Sequence, residues 1–344
     1  MPTFSGERRR EFSFTFRGVP VEARGGGTKI YEALVKAIRD LDMIGAIKTY
    51  TETLYTIAQQ GAEEPRDLAA KASSIEDLAD LVAKGGVFYA PFQNSSIVLQ
   101  RIAKRVREGD VILSKTPLTR IVKCVVEVVE GFFTSAVEQV SRHCSNMNYE
   151  TIALHSGGIL PLTCLKKMLP NISRPKILFF GRRAREVAEA FKKETGIGVT
   201  VVPPLYAYQL ARFSDVILFQ PETINPITML TRAGLSPVLE YTDVRSDLEA
   251  VGITLSLAYT RLRALGRVKY DSIPISAYRL RWQEVVNVPV LDIIPLNAIK
   301  ADTRVIDEQG EAPLAPARLG RRAFSLIKEL EKLVEARCRV YEVE

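Results

Sequence analysis

The sequence predicts an α/β fold, a helical N-terminal domain followed by a Rossmann-like parallel-sheet domain. Two patterns predict it. Between residues 30 and 107 the apolar side chains recur at helical spacing, as in Ile30, Leu34, Ala37, Ile38 and Leu41. Beyond residue 150, short unbroken apolar runs (Ile152-Ala153-Leu154, Ile177-Leu178-Phe179-Phe180, Val216-Ile217-Leu218-Phe219) alternate with amphipathic stretches. Runs that are apolar on both faces, separated by helices, mean a parallel sheet covered on both sides. At 344 residues the chain is long enough for two cores, and the change of pattern divides it into residues 1–108 and 109–344.

The elements follow in order. Residues 11–22 alternate, with Phe12, Phe14 and Phe16 against Glu11, Ser13 and Thr15, which is strand periodicity interrupted at Gly18 and Pro20. Gly25-Gly26-Gly27 is a turn and matches no phosphate loop. Ser74 with Asp77 forms an N-terminal cap for the helix carrying Leu78, Leu81 and Val82, and Pro91 stops the next segment. Residues 97–106 resume a helix with a basic outer face, 109–114 read as a short buried strand, and 118–142 as a long helix. Strand–helix units then cover 152–168, 176–195 and 199–213, and a further strand covers 216–219. Residues 253–265 read as an inserted helix through Leu255, Leu257, Ala258 and Leu262, and its apolar face is assigned to the core ahead of an oligomer surface.

The composition bounds the function. The net charge is +7, spread over clusters such as Arg8-Arg9-Arg10, Arg182-Arg183-Arg185 and Arg318-Arg321-Arg322. These are a solvated surface or a nucleic-acid face, and no RNA motif with interleaved aromatics decides between them. No apolar run reaches the roughly 18 residues a membrane span needs, and no signal-peptide segment follows the first arginines, so a cytoplasmic protein without membrane partners is expected. Cys124, Cys144, Cys164 and Cys338 form no C-x-x-C pair, which indicates neither a zinc ribbon nor a redox couple. Cys124 and Cys164 sit in apolar helical patterns and read as core. With His143 and His155 the sole histidines, no metal and no other cofactor is expected.

In a parallel sheet, ligands bind at the carboxyl ends of the strands. Those ends carry His155-Ser156-Gly157-Gly158, Gly181-Arg182-Arg183, Pro203-Pro204 and Gln220-Pro221-Glu222. A glycine pair opening a helix can present backbone N–H groups to an anion, and Arg183 can clamp a phosphate. The alternative is a tight turn beside solvated arginines.

The C-terminal stretch Val288-Pro289-Val290-Leu291-Asp292-Ile293-Ile294-Pro295, followed by Ile306-Asp307-Glu308-Gln309-Gly310, resembles a signature of the translation initiation factor 2B alpha/beta/delta-subunit family, N-P-x-F-D-x-T-P and then I-T-E-x-G. Ribose-1,5-bisphosphate and methylthioribose-1-phosphate isomerases share that family. The resemblance implies a homo-oligomer, a translation-initiation partner, or a sugar phosphate as ligand. It also places the isomerase residues. The acid/base Cys corresponds to Ser156, a poor proton shuttle at neutral pH unless a base activates it. The partner Asp of G-A-D corresponds to Glu222, one methylene longer, and a displacement of roughly 1 Å costs about 10²-fold. Of E-x-R-P only Arg183 remains, and Thr231-Arg232-Ala233-Gly234-Leu235 stands for N-K-x-G-T. Ile44-Gly45-Ala46-Ile47 and Gly86-Val87-Phe88-Tyr89 lack the arginines of their motifs.

The resulting expectation is a non-catalytic protein with a regulatory or assembly role that keeps a pocket at Gly157, Gly158, Arg183 and Arg232. The alternative is a divergent aldose–ketose isomerase using Ser156 and Glu222. A basic RNA-associated protein is a third reading.

Overall fold

The computed structural model describes residues 13–16, 19–22, 90, 94, 118–155, 158–240, 242, 247–260, 270–277, 282–289 and 291–337. The expectations for residues 30–89 and 97–114, and for Ser156 and Gly157, lie outside these residues. The chain divides into two compact units, one of residues 1–86, 92–131 and 327–344 and the other of 87–91 and 132–326.

In the first unit, β1 (Ser13–Phe16) and β2 (Val19–Glu22) pair antiparallel, with Phe16 opposite Val19. The predicted alternation is thus a strand pair, with Pro20 inside the second strand. The unit also takes the first part of helix α1 (Leu118–Cys144) and the last part of the C-terminal helix.

The second unit holds a seven-stranded sheet. Its members are β3 (Thr151–His155), β4 (Lys176–Phe180), β5 (Thr200–Val201), β6 (Val216–Phe219), β9 (Glu249–Ile253), β13 (Arg304–Asp307) and β14 (Gly310–Pro313), in the spatial order β14-β13-β9-β6-β3-β4-β5. All neighbours are parallel except β13 and β14. The central strands have no exposed face: Ile152, Ala153, Leu154, Val216, Ile217, Leu218 and Phe219 are fully buried, and each of the larger ones contributes about 1.5–3 kcal/mol by leaving water. The outer strand β14 alternates buried and exposed residues instead, as an antiparallel edge does.

Helix α2 (Ile159–Met168) follows β3, and α3 (Ala184–Thr195) follows β4. Helix α3 ends at Gly196, whose φ of +73° and N–H to the Lys192 carbonyl make a left-handed C-terminal cap. A 3₁₀ segment (Pro204–Gln209) and the short α4 (Leu210–Phe213) stand where one continuous helix was expected, because Pro203-Pro204 fixes the backbone ahead of them. A second, three-stranded sheet orders β12 (Leu291–Pro295), β8 (Thr228–Arg232) and β7 (Pro221–Ile224) antiparallel. Ile224, Met229 and Ile294 from it share one buried cluster with Phe180, Ile217, Phe219 and Val305 of the main sheet. The hairpin β10 (Tyr270–Ala277) and β11 (Trp282–Pro289) forms its own two-stranded sheet. The four-residue α5 (Ser236–Leu239) follows β8, and α6 (Pro316–Arg337) ends the described chain.

One expectation is corrected. Of the helix read over 253–265, residues 253–260 are instead the end of β9, a 3₁₀ turn (Ser256–Ala258) and a bridge from Tyr259 to Ile224, while 261–265 lie outside the described residues. Residues 250–259 are buried throughout, so their apolar spacing carried no facial information. The spacing of the cysteines gave no pairing, and Cys144 and Cys164, 20 residues apart, are joined in a disulfide with both residues fully buried. Cys164 is core, as expected, and Cys124 is half-buried and also disulfide-bonded.

Candidate functional site

The strand order locates the site. The chain runs from β3 to β4 and β5 on one side, then returns to lay β6 against the other side of β3. Adjacent loops therefore diverge at the carboxyl ends of β3 and β6, and this reversal is where open α/β sheets bind ligands. His155 ends β3, and Gly158 stands at the start of α2. Gln220 follows β6, Glu222 lies on β7 and Arg232 closes β8.

These groups bond to one another. Arg232 Nε donates to Glu222 Oε1 at 3.1 Å, with the carboxylate fully buried and Arg232 8% exposed. Gln220 Nε2 donates to the same oxygen at 3.4 Å, while Gln220 Oε1 accepts the Leu160 N–H at 3.3 Å. The Gln220 carboxamide thus joins the first turn of α2 to the buried ion pair. The contact depends on glycine: a Cβ on Gly158 would lie 1.8 Å from Gln220 Oε1 and 2.7 Å from its Cβ. Next to Glu222 on β7, Thr223 Oγ1 accepts the Ala90 N–H at 2.9 Å.

His155 is 1% exposed, its ring 5.1 Å from that of Phe180. Nε2 donates to the Ala233 carbonyl at 3.3 Å, which leaves Nδ1 as a bare lone pair without a partner. Burial pushes this imidazole down to about 4, more than the Ala233 bond and the Asp292 charge raise it, so it is neutral at physiological pH. Asp292, the acid of the C-terminal signature, uses one oxygen to accept the N–H groups of Gly234, Leu235 and Ser236 at 2.9, 2.9 and 3.0 Å. It thereby fixes the loop after Arg232.

Of the residues singled out by the sequence, Gly158, Glu222 and Arg232 come together. Arg183 is exposed, and its guanidinium grips Glu186 one turn along its own helix at 2.9 and 2.5 Å. Sequence reasoning passed over Gln220 and His155. Their position at the ends of β6 and β3 was the available signal. Among the described residues no group of His, Cys, Asp or Glu is arranged to hold a metal ion, and no helix is long and apolar enough to cross a membrane.

The sheet order and its reversal point define a Rossmann-like α/β protein. No protein-family model matches the chain, and no curated protein does. Solved structures do. A translation initiation factor eIF-2B from Pyrococcus horikoshii superposes with a TM-score of 0.61 at 12% identity, over 85% of this chain and 98% of that one. The tetrameric eIF2B-beta2-delta2 complex from C. thermophilum gives 0.60 at 11% identity, over 88% and 95%. The 5-methylthioribose 1-phosphate isomerase of P. horikoshii gives 0.55 at 14%, over 86% and 87%. The chain has the fold that initiation factor 2B subunits share with this isomerase.

Proposed function

We propose that the chain is a non-catalytic protein of the initiation factor 2B type, acting in assembly or regulation as an oligomer in the cytoplasm. The observation that supports this reading is the state of Glu222. A general base must reach the proton it removes, whereas this carboxylate is fully buried, paired with Arg232 and bonded by Gln220. The same carboxamide takes the Leu160 N–H that an anion at the start of α2 would use. A homo-oligomer with a translation-initiation partner follows from the resemblance, and the beta2-delta2 complex is an assembly on this fold.

The second reading is a divergent sugar-phosphate isomerase. The bare Nδ1 of His155, buried at the reversal point, favours it because a substrate hydroxyl would satisfy that lone pair. One experiment separates the two. Thermal shifts are measured with ribose, ribulose and methylthioribose phosphates and with inorganic phosphate, followed by an isomerase assay with Glu222→Gln as control. A ligand at 100 times its Kd adds about 2.7 kcal/mol. Turnover lost in Glu222→Gln would overturn the first reading. Absence of turnover, together with a size above the monomer by light scattering, is the expected outcome.

A further inference from the structure

The Cys144–Cys164 bridge closes a covalent ring around the part of the chain that leads into the reversal point. Between the two cysteines lie β3, with His155 at its end, and Gly158 with the first turn of α2, where Leu160 donates to Gln220. Cys144 is the last residue of α1 and Cys164 lies mid-way along α2, so the bridge ties the two helices that flank β3 in the chain. Both residues are fully buried.

We infer that this disulfide is a permanent staple of the β3–α2 segment, formed during folding and then sealed. It is a lock rather than a switch. Its formation removes two electrons and two protons from the two thiols, and a low-molecular-weight disulfide is the acceptor. One thiolate attacks that disulfide and releases its first thiol; the second thiolate resolves the mixed disulfide and releases the other. Once folded, neither sulfur offers the line of approach that exchange requires, so the bond outlasts reductant until the unit opens. A closed ring of this size restricts the unfolded chain enough to change the unfolding equilibrium constant on the order of 10²-fold. Buried structural disulfides of this kind occur in proteins of oxidising compartments and in the disulfide-rich intracellular proteins of hyperthermophiles.

The test uses the full chain purified without reductant. After denaturation in N-ethylmaleimide and digestion, the peptides containing Cys144 and Cys164 are expected to be linked. Incubation of the folded protein with a phosphine reductant should leave the linkage intact for hours, and the same reductant in guanidinium should remove it within minutes. Because Cys124 is also disulfide-bonded, Cys164→Ala isolates this bridge. It should raise the unfolding equilibrium constant by about 10²-fold and speed amide exchange in residues 151–163 more than in β6 or β9. Alkylation of both cysteines in the unreduced protein would overturn the inference. So would rapid reduction of the native protein, or Cys164→Ala exchange rates in 151–163 that match the wild type.

Discussion

Two buried carboxylate clusters sit at carboxyl ends of strands in the same sheet, one at the β3/β6 reversal and one at the end of β13. In the second, Asp307 is fully buried and saturated. Tyr259 donates to one oxygen at 2.7 Å; Arg322 and the Gln309 N–H donate to the other at 2.6 and 2.8 Å. The adjacent Glu308 accepts the Ser256 N–H at 3.0 Å and the Ser256 hydroxyl. Burial, then the Asp307 charge, raises its proton affinity, and the Tyr259 phenol is driven well above its ordinary range by the same causes. This cluster braces α6 and the Ser256–Ala258 turn against the sheet. The reversal cluster uses similar groups but leaves His155 Nδ1 bare and relies on a carboxamide contact that glycine alone permits. The Asp307 carboxylate has a partner on each oxygen, while the reversal cluster keeps one unfilled position.

The largest expected effect breaks the brace. Asp307→Ala strands the Arg322 charge and the Tyr259 hydroxyl and should cost about 3–5 kcal/mol in urea unfolding. Glu222→Leu with Arg232→Met, which removes both members of the other pair, should be neutral or stabilising by comparison. A larger loss from the paired replacement than from Asp307→Ala would reverse the comparison.

Next comes His155. The unfolded chain takes up this proton near 6.5 and the folded chain only near 4. Between those values the unfolded state binds more protons, so the contribution is full above pH 6.5 and is lost as pH falls towards 4. The loss is about 3 kcal/mol. Melting curves across that window should flatten in His155→Gln, and an unchanged slope would mean that the imidazole is not buried neutral.

The smallest effect sharpens the contact between α2 and Gln220. Gly158→Ala forces the carboxamide out and should cost about 1–3 kcal/mol. Gln220→Gly should recover part of it, because even the Gln220 Cβ lies within 2.7 Å of the added methyl. Additive single effects in a double-mutant cycle would rule the contact out.

Much of the sheet was legible because β3, β4 and β6 are unbroken apolar runs, and a strand buried on both faces has few other ways to read. The strand order, and with it the reversal point, was not legible, because alternation of strands and helices is compatible with more than one order. What failed did so for local reasons. Total burial of 250–259 erased periodicity, and Leu255 and Leu257 satisfied a helical pattern by accident. The Cys144–Cys164 bond depends on two helices meeting beside β3, which spacing cannot state. Glu222 and Arg232 were chosen as chemistry by type, yet whether they face a ligand or each other depends on packing between β7 and β8. Arg183 was chosen as a clamp by type as well, and its ion pair with Glu186 one turn along the helix is a local contact that the choice did not consider.

The ring around β3 also has a timetable. Both of its cysteines leave the ribosome before either strand that will lie beside β3 in the sheet, since β4 and β6 come later in the chain, as do β9 and β13 beyond them. At roughly 5–20 residues per second, β13 is completed some seven to thirty seconds after Cys164 is made. The bond can therefore close on the nascent chain as a local event. The later strands then arrive at a segment already cross-linked, and their packing removes it from the reach of any thiol in the cell.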